Sequence, residues 1–542
     1  MSDYLVRGCA ELGVRHIFGV DGANIEDIYD AAATAGVHGV VAKHEFAAAT
    51  MADGYARATG SMGVVVATSG GGAMNLVAGL AESFTSRVPV LALIGQPPKD
   101  LEGAGAFQDT SGLAGTIDAA QLFGAVSRYC ARVDDPQDLP TQFAAAVAEA
   151  LCGGPAVLLL PKNIQRSPIT ADPVPCGPPS VVSDPAGLSA VATVLNTARA
   201  AGQILVIAGE QVARDKARDL LRDLAVALDA AVAVTPDGRD VYGPRDPGYR
   251  GIAGMMGHPE LFDAAHWAAG CLLVGTRLPA TAHIPLDGIP LAGLGAQPPY
   301  LPAVSATSSN LAVSLPALTA LILENPIDAP ASLPVVSPRS PVADARRRLP
   351  TSDQGPGLRY RTIMDIISAL LPPHSVVFAD AGNTGAAAVR HLDLPIGGRF
   401  SLTLGMGGMG YSFGAAIGAA FADSRPTYVI AGDGSFFMHG MEIHTAIEHA
   451  LPITFIILNN NAHAMCVIRD RLYNLNHDDR NRFRPARLAE GMAAMFRGLP
   501  CYTISEPDEL RAVLSDHPAS GPRFLEIDCD PDELPPFTPF LA

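Results

Sequence analysis

TYVIAGDGSFFMHGMEIHTAIEHALPITFIILNNNAHAM, residues 427–465, decides how the rest of the chain is read. An apolar run, Thr427–Gly432, leads straight into Gly432-Asp433-Gly434-Ser435. A helical pattern follows, and a second apolar run, Ile453–Asn459, ends in Asn459-Asn460-Asn461. Two buried strands joined by a helix form a parallel pair, so both strand ends fall on one carboxyl edge, where open α/β sheets bind ligands. Gly432 and Gly434 let the backbone approach an anion closely, and free N–H groups at such a turn suit phosphate oxygens. Asp433 and Asn460 offer hard oxygen ligands of the kind Mg²⁺ prefers, with phosphate oxygens and water filling its other positions. Gly-Asp-Gly alone would support no more than a βαβ unit with ordinary turn residues. The asparagine run closing the next strand supplies the second half of a ligand pattern.

Working outward, the same alternation of apolar runs and helical patterns fills the chain. Strands are predicted at His16–Val20, Val40–Lys43, Gly63–Thr68, Pro89–Gly95 and Pro155–Pro161, with helices at Ile25–Ala35 and Ala73–Ser86. Further strands are predicted at Gln203–Gly209, Cys271–Gly275, Ser375–Ala381 and Arg523–Asp528, and a further helix at Lys216–Leu228. Alternating elements imply parallel sheets covered on both faces. Proline-rich passages at 167–185 and roughly 326–357 read as linkers. The expected fold is therefore α/β in three domains, each a parallel sheet flanked by helices, at 1–166, 186–325 and 358–542. The outer two have the size and rhythm of a duplicated fold, without a residue-level repeat. A chain of 542 residues is too long for a single core, which agrees with that division.

Composition excludes several classes. The formal net charge of −17 argues against nucleic-acid or anionic-membrane partners, which need a basic face. The eight cysteines form no CxxC pair or zinc-spaced cluster and read as free thiols in a reducing compartment. Neither a secretory signal nor an apolar run of membrane-spanning length is visible, so a cytoplasmic location is expected.

The Gly-Asp-Gly…Asn-Asn arrangement resembles the signature of thiamine-diphosphate-dependent enzymes. The N-terminal third supports the likeness: VVAKHEFAAATMADGYARATG (40–60), GVRHIFGVDGANIEDIYDA (13–31), ATSGGGAMNLVAGLAES (67–83) and GAFQDTSG (105–112) are similar in order and spacing to the pyrimidine-binding domain of the acetolactate synthase and benzaldehyde lyase branch. The resemblance implies that Asp433, Asn460 and the carbonyl of Ala462 hold Mg²⁺, with Gly432, Gly434 and Ser435 beside the diphosphate. It implies that Glu45 bonds the pyrimidine N1′, an acid being needed there to favour the tautomer that activates the thiazolium C2. On helix position alone, Glu45 would more often be a cap. Gly22 and Gln108 are placed on the substrate side of the cofactor. In SLTLGMGGMGYSFGAAIGAAFA (401–422), Met409 matches the apolar wedge between the cofactor rings and the Gly407 carbonyl the acceptor for the 4′-amine. Gly382, Asn383 and Thr384, after an apolar strand, read either as a second diphosphate contact or as a turn. His463, Met465, Cys466 and Arg469 lie in the segment placed above the thiazolium, Met465 and Cys466 as an apolar wall facing the donor's side chain and His463 and Arg469 as polar groups near the pocket mouth.

The implied activity is decarboxylation of a 2-oxo acid and ligation of the fragment to a second carbonyl. A homodimer or homotetramer is implied, because Glu45 and Asp433 lie in different domains. Simple non-oxidative decarboxylation is the alternative. The branch choice follows from Phe107-Gln108-Asp109, where decarboxylases of the pyruvate decarboxylase type carry a His-His pair. Two features depart from true acetolactate synthases: Arg469 stands where those enzymes carry Trp, and Gly275-Thr-Arg277-Leu-Pro-Ala lacks the paired acids of their flavin-binding segment. The expectation is thus an enzyme without FAD. A more distant reading is a nicotinamide dehydrogenase, since Gly405–Gly410 satisfies GxGxxG. That fingerprint wants an acid ending the next strand, and that acid is Asp433, which the metal site explains better.

Overall fold

The computed structural model describes residues 1–171, 174–177, 180–324, 357–473, 480–516 and 521–534. Runs of Val, Ile, Leu and Ala build three six-stranded sheets, and every strand pair within them is parallel. The first holds β1 (His16–Val20), β2 (His38–Val41), β3 (Gly63–Ala67), β4 (Val90–Gln96), β5 (Tyr129–Arg132) and β6 (Pro155–Pro161). The second holds β7 (Ile204–Ala208), β8 (Ala231–Val234), β9 (Tyr249–Ile252), β10 (Gly270–Val274), β11 (Leu291–Gly295) and β12 (Val304–Thr307). The third holds β13 (Val376–Ala379), β14 (Arg399–Leu402), β15 (Thr427–Gly432), β16 (Ile453–Asn459), β17 (Cys501–Ile504) and β18 (Arg523–Asp528). Inner strands such as β3, β4, β10 and β16 are buried along their whole length, as helices on both faces require.

The first sheet runs β2-β1-β3-β4-β6-β5 and the third β14-β13-β15-β16-β18-β17. Taken in chain order these are the same topology, so the two outer domains are duplicates in fold where residues alone show no repeat. The middle sheet, β12-β11-β10-β7-β8-β9, has instead the doubly wound order with its switch point between β7 and β10.

Six helices position the chemistry: α1 (Glu45–Thr59), α2 (Gly71–Thr85), α3 (Asn383–His391), α4 (Tyr411–Ala422), α5 (Asp433–His439) and α6 (Ala464–Tyr473). Helices α1 and α4 join the outer domains. Both are rich in Ala and Gly and buried over most of their length. A Cβ on Gly54 would collide with the Ala415 carbonyl, and one on Gly418 with the Met51 carbonyl, so the two backbones touch. At the same seam Tyr411 donates its buried hydroxyl to Asp53, which also accepts from Ser83 Oγ (2.8 Å) and Arg57 Nε (2.6 Å).

Strand boundaries agree with the apolar runs to within two residues. Short strands with mixed burial, such as β5, β14 and β17, carry no uniform apolar run and were not predicted. The helix expected from Lys216 begins at Arg218, because Lys216 adopts a left-handed φ of 54° that a helix cannot contain. The linker at 326–357 lies outside the described residues except for Gly357. Among the described residues no helix is long and apolar enough to cross a membrane.

The same seam gathers histidines. His16, at the start of β1, lies 5.8 Å between ring centroids from His38 and 5.0 Å from Phe421 at the end of α4. His449 lies 5.4 Å from His38 and 5.0 Å from Phe421. The Nδ1 of His16 is buried without a partner. Burial first, then His38 and His449, push its pKa down to about 4. A histidine held below its ordinary value of about 6.5 contributes stability that is complete above that value and lost as pH falls toward the folded pKa. Unfolding midpoints in urea are therefore expected to fall between pH 6.5 and 4, and His16→Phe should flatten part of that slope. An unchanged slope in the variant would show that the decline comes from other groups.

Candidate active site

The ends of β13, β15 and β16, neighbours in the third sheet, build one half of the site. Asp433 opens α5 directly from β15, and Asn460 follows the last residue of β16. Both are buried, Asp433 to 1% exposure. One carboxyl oxygen of Asp433, Oδ2, is enclosed with no hydrogen-bond partner, although the N–H groups of Asn460, Gly434 and Ala462 face the carboxylate. Burial pushes the Asp433 pKa up to about 7. That is the desolvation penalty a bound divalent cation would offset, and an orphaned hard oxygen fits Mg²⁺. Asn460 accepts from Ala462 N (3.0 Å) through Oδ1 and donates to Tyr360 Oη (2.9 Å), which fixes the plane of its amide.

Asn383, first residue of α3, is 5% exposed, and neither its Oδ1 nor its Nδ2 finds a partner. Thr384 faces Gly432 across the crevice, and Gly382 holds the left-handed φ of 92° that lets the chain enter α3. A buried amide with both ends unsatisfied, at a helix N-terminus beside Asp433, is the donor chemistry a diphosphate would meet. A side chain on Gly434 would strike His463 Nδ1 (2.7 Å) and Met409 Cε (3.3 Å), so those two close over the start of α5. His463 is set by its N–H bond to Asn481 O (2.8 Å) and an edge contact with Phe483. Met465 is half-buried on the first turn of α6, with Cys466 and Arg469 exposed beyond it. Ser435 donates its hydroxyl inward to Asp380 (2.6 Å).

The other half stands on the first sheet. Glu45 opens α1, capped by His44, whose Nδ1 accepts from Phe46 N. Its carboxylate accepts from Asn75 Nδ2 (2.9 Å), and a Cβ on Gly72 would lie 3.1 Å from its Oε1. Thr68, after β3, stands against Gly22 and Gly72 and donates to Gln108 Oε1 at 3.4 Å. The structure therefore brings Glu45, Gly22 and Gln108 around Thr68. Gln108 holds a left-handed φ of 58°, a conformation rare outside glycine. Its loop is pinned by Asp109, which accepts from Gly103 N (2.7 Å) and Ser111 N (2.9 Å).

The glycines of 405–410 answer to packing. Gly405 sits against Thr85, Glu82 and Ser86 of the α2 end, where any side chain would collide. Gly407 and Gly410 take positive φ, and Gly408 faces Phe46. A dinucleotide fingerprint needs its two strands side by side, but β13 lies between β14 and β15. The dehydrogenase reading falls on that ground. In the middle domain, Arg277 stacks on Tyr300, 3.7 Å from the ring centroid, and donates to Pro298 O.

Sequence reasoning missed Asp380, Asn75 and Tyr360. Asp380 is fully buried at the end of β13 and accepts from Ala381 N, Gly410 N, Ser412 N, Ser412 Oγ and Ser435 Oγ, tying three site loops to one carboxylate. An acid closing an apolar strand just before Gly382 was the available signal.

Comparison with known proteins agrees with this geometry. The family described as thiamine pyrophosphate enzyme matches in three parts: its N-terminal TPP binding domain over residues 1–115, its central domain over 188–290 and its C-terminal TPP binding domain over 380–527. The chain is 27% identical to the probable acetolactate synthase large subunit of Methanocaldococcus jannaschii, covering 99% of this chain and 93% of that one. It is 28% identical to the acetolactate synthase isozyme 2 large subunit of Escherichia coli, covering 98% and 95%. With the acetolactate synthase large subunit of Parasynechococcus marenigrum the identity is 30%, covering 84% and 75%. Two half-sites on duplicated sheets, matched along nearly the whole chain by these relatives, place it in the thiamine pyrophosphate enzyme family, with acetolactate synthase-like enzymes.

Proposed function

We propose that the chain decarboxylates a 2-oxo acid and ligates the fragment to a second carbonyl, using thiamine diphosphate and Mg²⁺ bound between two copies of itself. The observation that carries this is the pair of buried, unpartnered polar groups, Asp433 Oδ2 and the Asn383 amide, on one carboxyl edge. When bound, thiamine diphosphate supplies a nucleophilic carbon and an electron sink for the pair released as carbon dioxide departs. Asp433, Asn460 and the Ala462 carbonyl hold the metal. Gly382, Asn383, Thr384, Gly432, Gly434 and Ser435 surround the diphosphate. Glu45 would keep a proton at the pyrimidine N1′, Gly407 would offer its carbonyl to the 4′-amine, and Met409 would pack against the cofactor rings. Gly22, Gln108, His463 and Met465 line the substrate side.

Association of two copies is supported by exposed apolar side chains beside both halves, among them Phe107 (79%) and Met406 (58%), with Phe437 and Met438 on α5. Glu45 is bonded within the first domain through Asn75, and Asp433 to groups of the third.

Incubation with pyruvate, thiamine diphosphate and Mg²⁺, with and without an aldehyde or a second 2-oxo acid, is expected to yield carbon dioxide and a hydroxyketone or 2-hydroxy-3-oxo acid. Aldehyde as sole product would make the chain a simple decarboxylase, and no carbon dioxide from any 2-oxo acid would overturn the reading. Asp433→Ala and Asn460→Ala should abolish Mg²⁺-dependent retention of the cofactor in folded protein, since alanine offers no oxygen ligand. Unchanged affinity in a calorimetric titration would remove both from the metal site. Glu45→Gln keeps the shape but cannot hold the proton, so exchange of the cofactor's C2 hydrogen for deuterium should slow by about 10²–10⁴ while binding persists. Exchange at the unmutated rate would leave Glu45 as a helix-terminal residue only.

A further inference from the structure

We propose that Glu82 and Glu442 are positioning residues: two buried carboxylates, each rooted in one outer domain and bonded to the main chain of the other, that aim the segments contacting the cofactor's pyrimidine. The inference rests on the placement of Glu45, Gly407 and Met409 proposed above.

Glu82 belongs to α2 of the first domain and is 2% exposed. Its Oε1 accepts from Gly405 N (3.0 Å) and Ser86 Oγ (2.8 Å), and its Oε2 from Met406 N (2.6 Å). Glu442, equally buried, follows α5 in the third domain. Its two oxygens accept from Lys43 N at 3.2 and 3.1 Å, and Oε1 also accepts from Thr445 Oγ (2.6 Å). Met406 immediately precedes Gly407, and Lys43 stands two residues before Glu45. The pattern is reciprocal: each domain lends a carboxylate to the chain segment that presents the other domain's reactive contact.

Packing alone would not require carboxylates. Burying a carboxyl carries a desolvation cost, which converging donors offset; at Glu442 burial still pushes the pKa up to about 7 despite its bonds to Thr445 and Lys43. What the carboxylate adds is direction, because charge-assisted bonds to N–H fix the peptide planes they hold. The 404–408 segment needs that direction. Leu404 and Met406 are exposed, Gly407 has φ of 67°, and its Cβ position faces open space. With little side-chain anchorage and two permissive glycines, the Glu82 bonds set where the Gly407 carbonyl points.

Amide hydrogen exchange on full-length protein without cofactor tests the clamp. In Glu82→Ala, peptides covering 403–409 should exchange at least about 10-fold faster, with Glu82→Gln intermediate and the rest of the third domain unchanged. Glu442→Gln should loosen 41–46 in the same way. With cofactor and Mg²⁺ added, Glu82→Ala should keep the dissociation constant within about threefold while exchange at C2 slows at least about 10-fold, because the diphosphate end is untouched and only the pyrimidine is misaligned. Unchanged protection of 403–409 would overturn the proposal, and so would protection lost across the whole domain. If the alanine variant does not fold, Glu82→Gln, which keeps the volume and one acceptor oxygen, is read by the same two measurements, and unchanged protection of 403–409 in it overturns the proposal equally. Met409→Ala separates the layers. Normal C2 exchange in Met409→Ala would sink the site reading itself, whereas slow exchange there beside normal exchange in Glu82→Ala would sink the clamp alone.

Discussion

Everything chemical in this chain depends on the contact between two helix backbones. Helix α1 begins with Glu45, and α4 begins immediately after the Gly407–Gly410 loop. The two are pressed together at Gly54 and Gly418 until main chain meets main chain. Side chains larger than glycine would part them, and parting them would displace both helix starts, and with them Glu45 and the 407–410 loop. Small residues here do not fill a core. They remove the adjustable layer of side chains that normally lies between packed helices, so the start of each helix inherits the rigidity of the other domain.

Around this seam the carboxylates divide into two populations. Asp53, Asp380, Glu82, Glu442 and Glu526 are buried and fully engaged, mostly with hydroxyls, amides and backbone N–H groups. They serve as rivets between segments far apart in sequence. The low local dielectric that makes an unpaired charge costly makes these satisfied networks strong and specific. Three of them, Asp53, Glu82 and Glu442, bond across the two outer domains, and Asp380 and Glu526 bond within the third.

The sheets, and the strand-end positions of Asp433 and Asn460, were legible in sequence because their signals are local. Apolar runs such as Ile453–Asn459 are strands buried on both faces, and Asp433 and Asn460 stand where those runs stop. Asn383 was ambiguous between turn and ligand, and its unpartnered amide is a feature that periodicity could not show. The rivets were illegible for the opposite reason. Glu82 reads as a surface position near a helix end, and its partners lie more than three hundred residues away in backbone N–H groups that no residue type marks. The glycines of 405–410 carried a weak rival signal. A pattern that satisfies a nucleotide fingerprint was produced by a close approach at Gly405 and by positive φ at Gly407 and Gly410.

The contrast between satisfied and unsatisfied groups is itself the strongest guide to where chemistry happens. Five buried acids are satisfied at both oxygens, whereas Asp433, although the N–H groups of Asn460, Gly434 and Ala462 face its carboxylate, keeps one oxygen without a partner. One of its oxygens and both ends of Asn383 are nonetheless left without partners on adjoining strand ends. Each such group costs on the order of 1–3 kcal/mol in isolation. Other unpartnered buried atoms are scattered through the three domains, but these stand together on adjoining strand ends, while the first sheet presents an engaged Glu45. The duplicated fold has thus specialised by polarity. The third domain keeps buried groups without partners, and the first keeps a bonded acid at a half-open surface. A cofactor with a charged tail and an aromatic head needs that asymmetry.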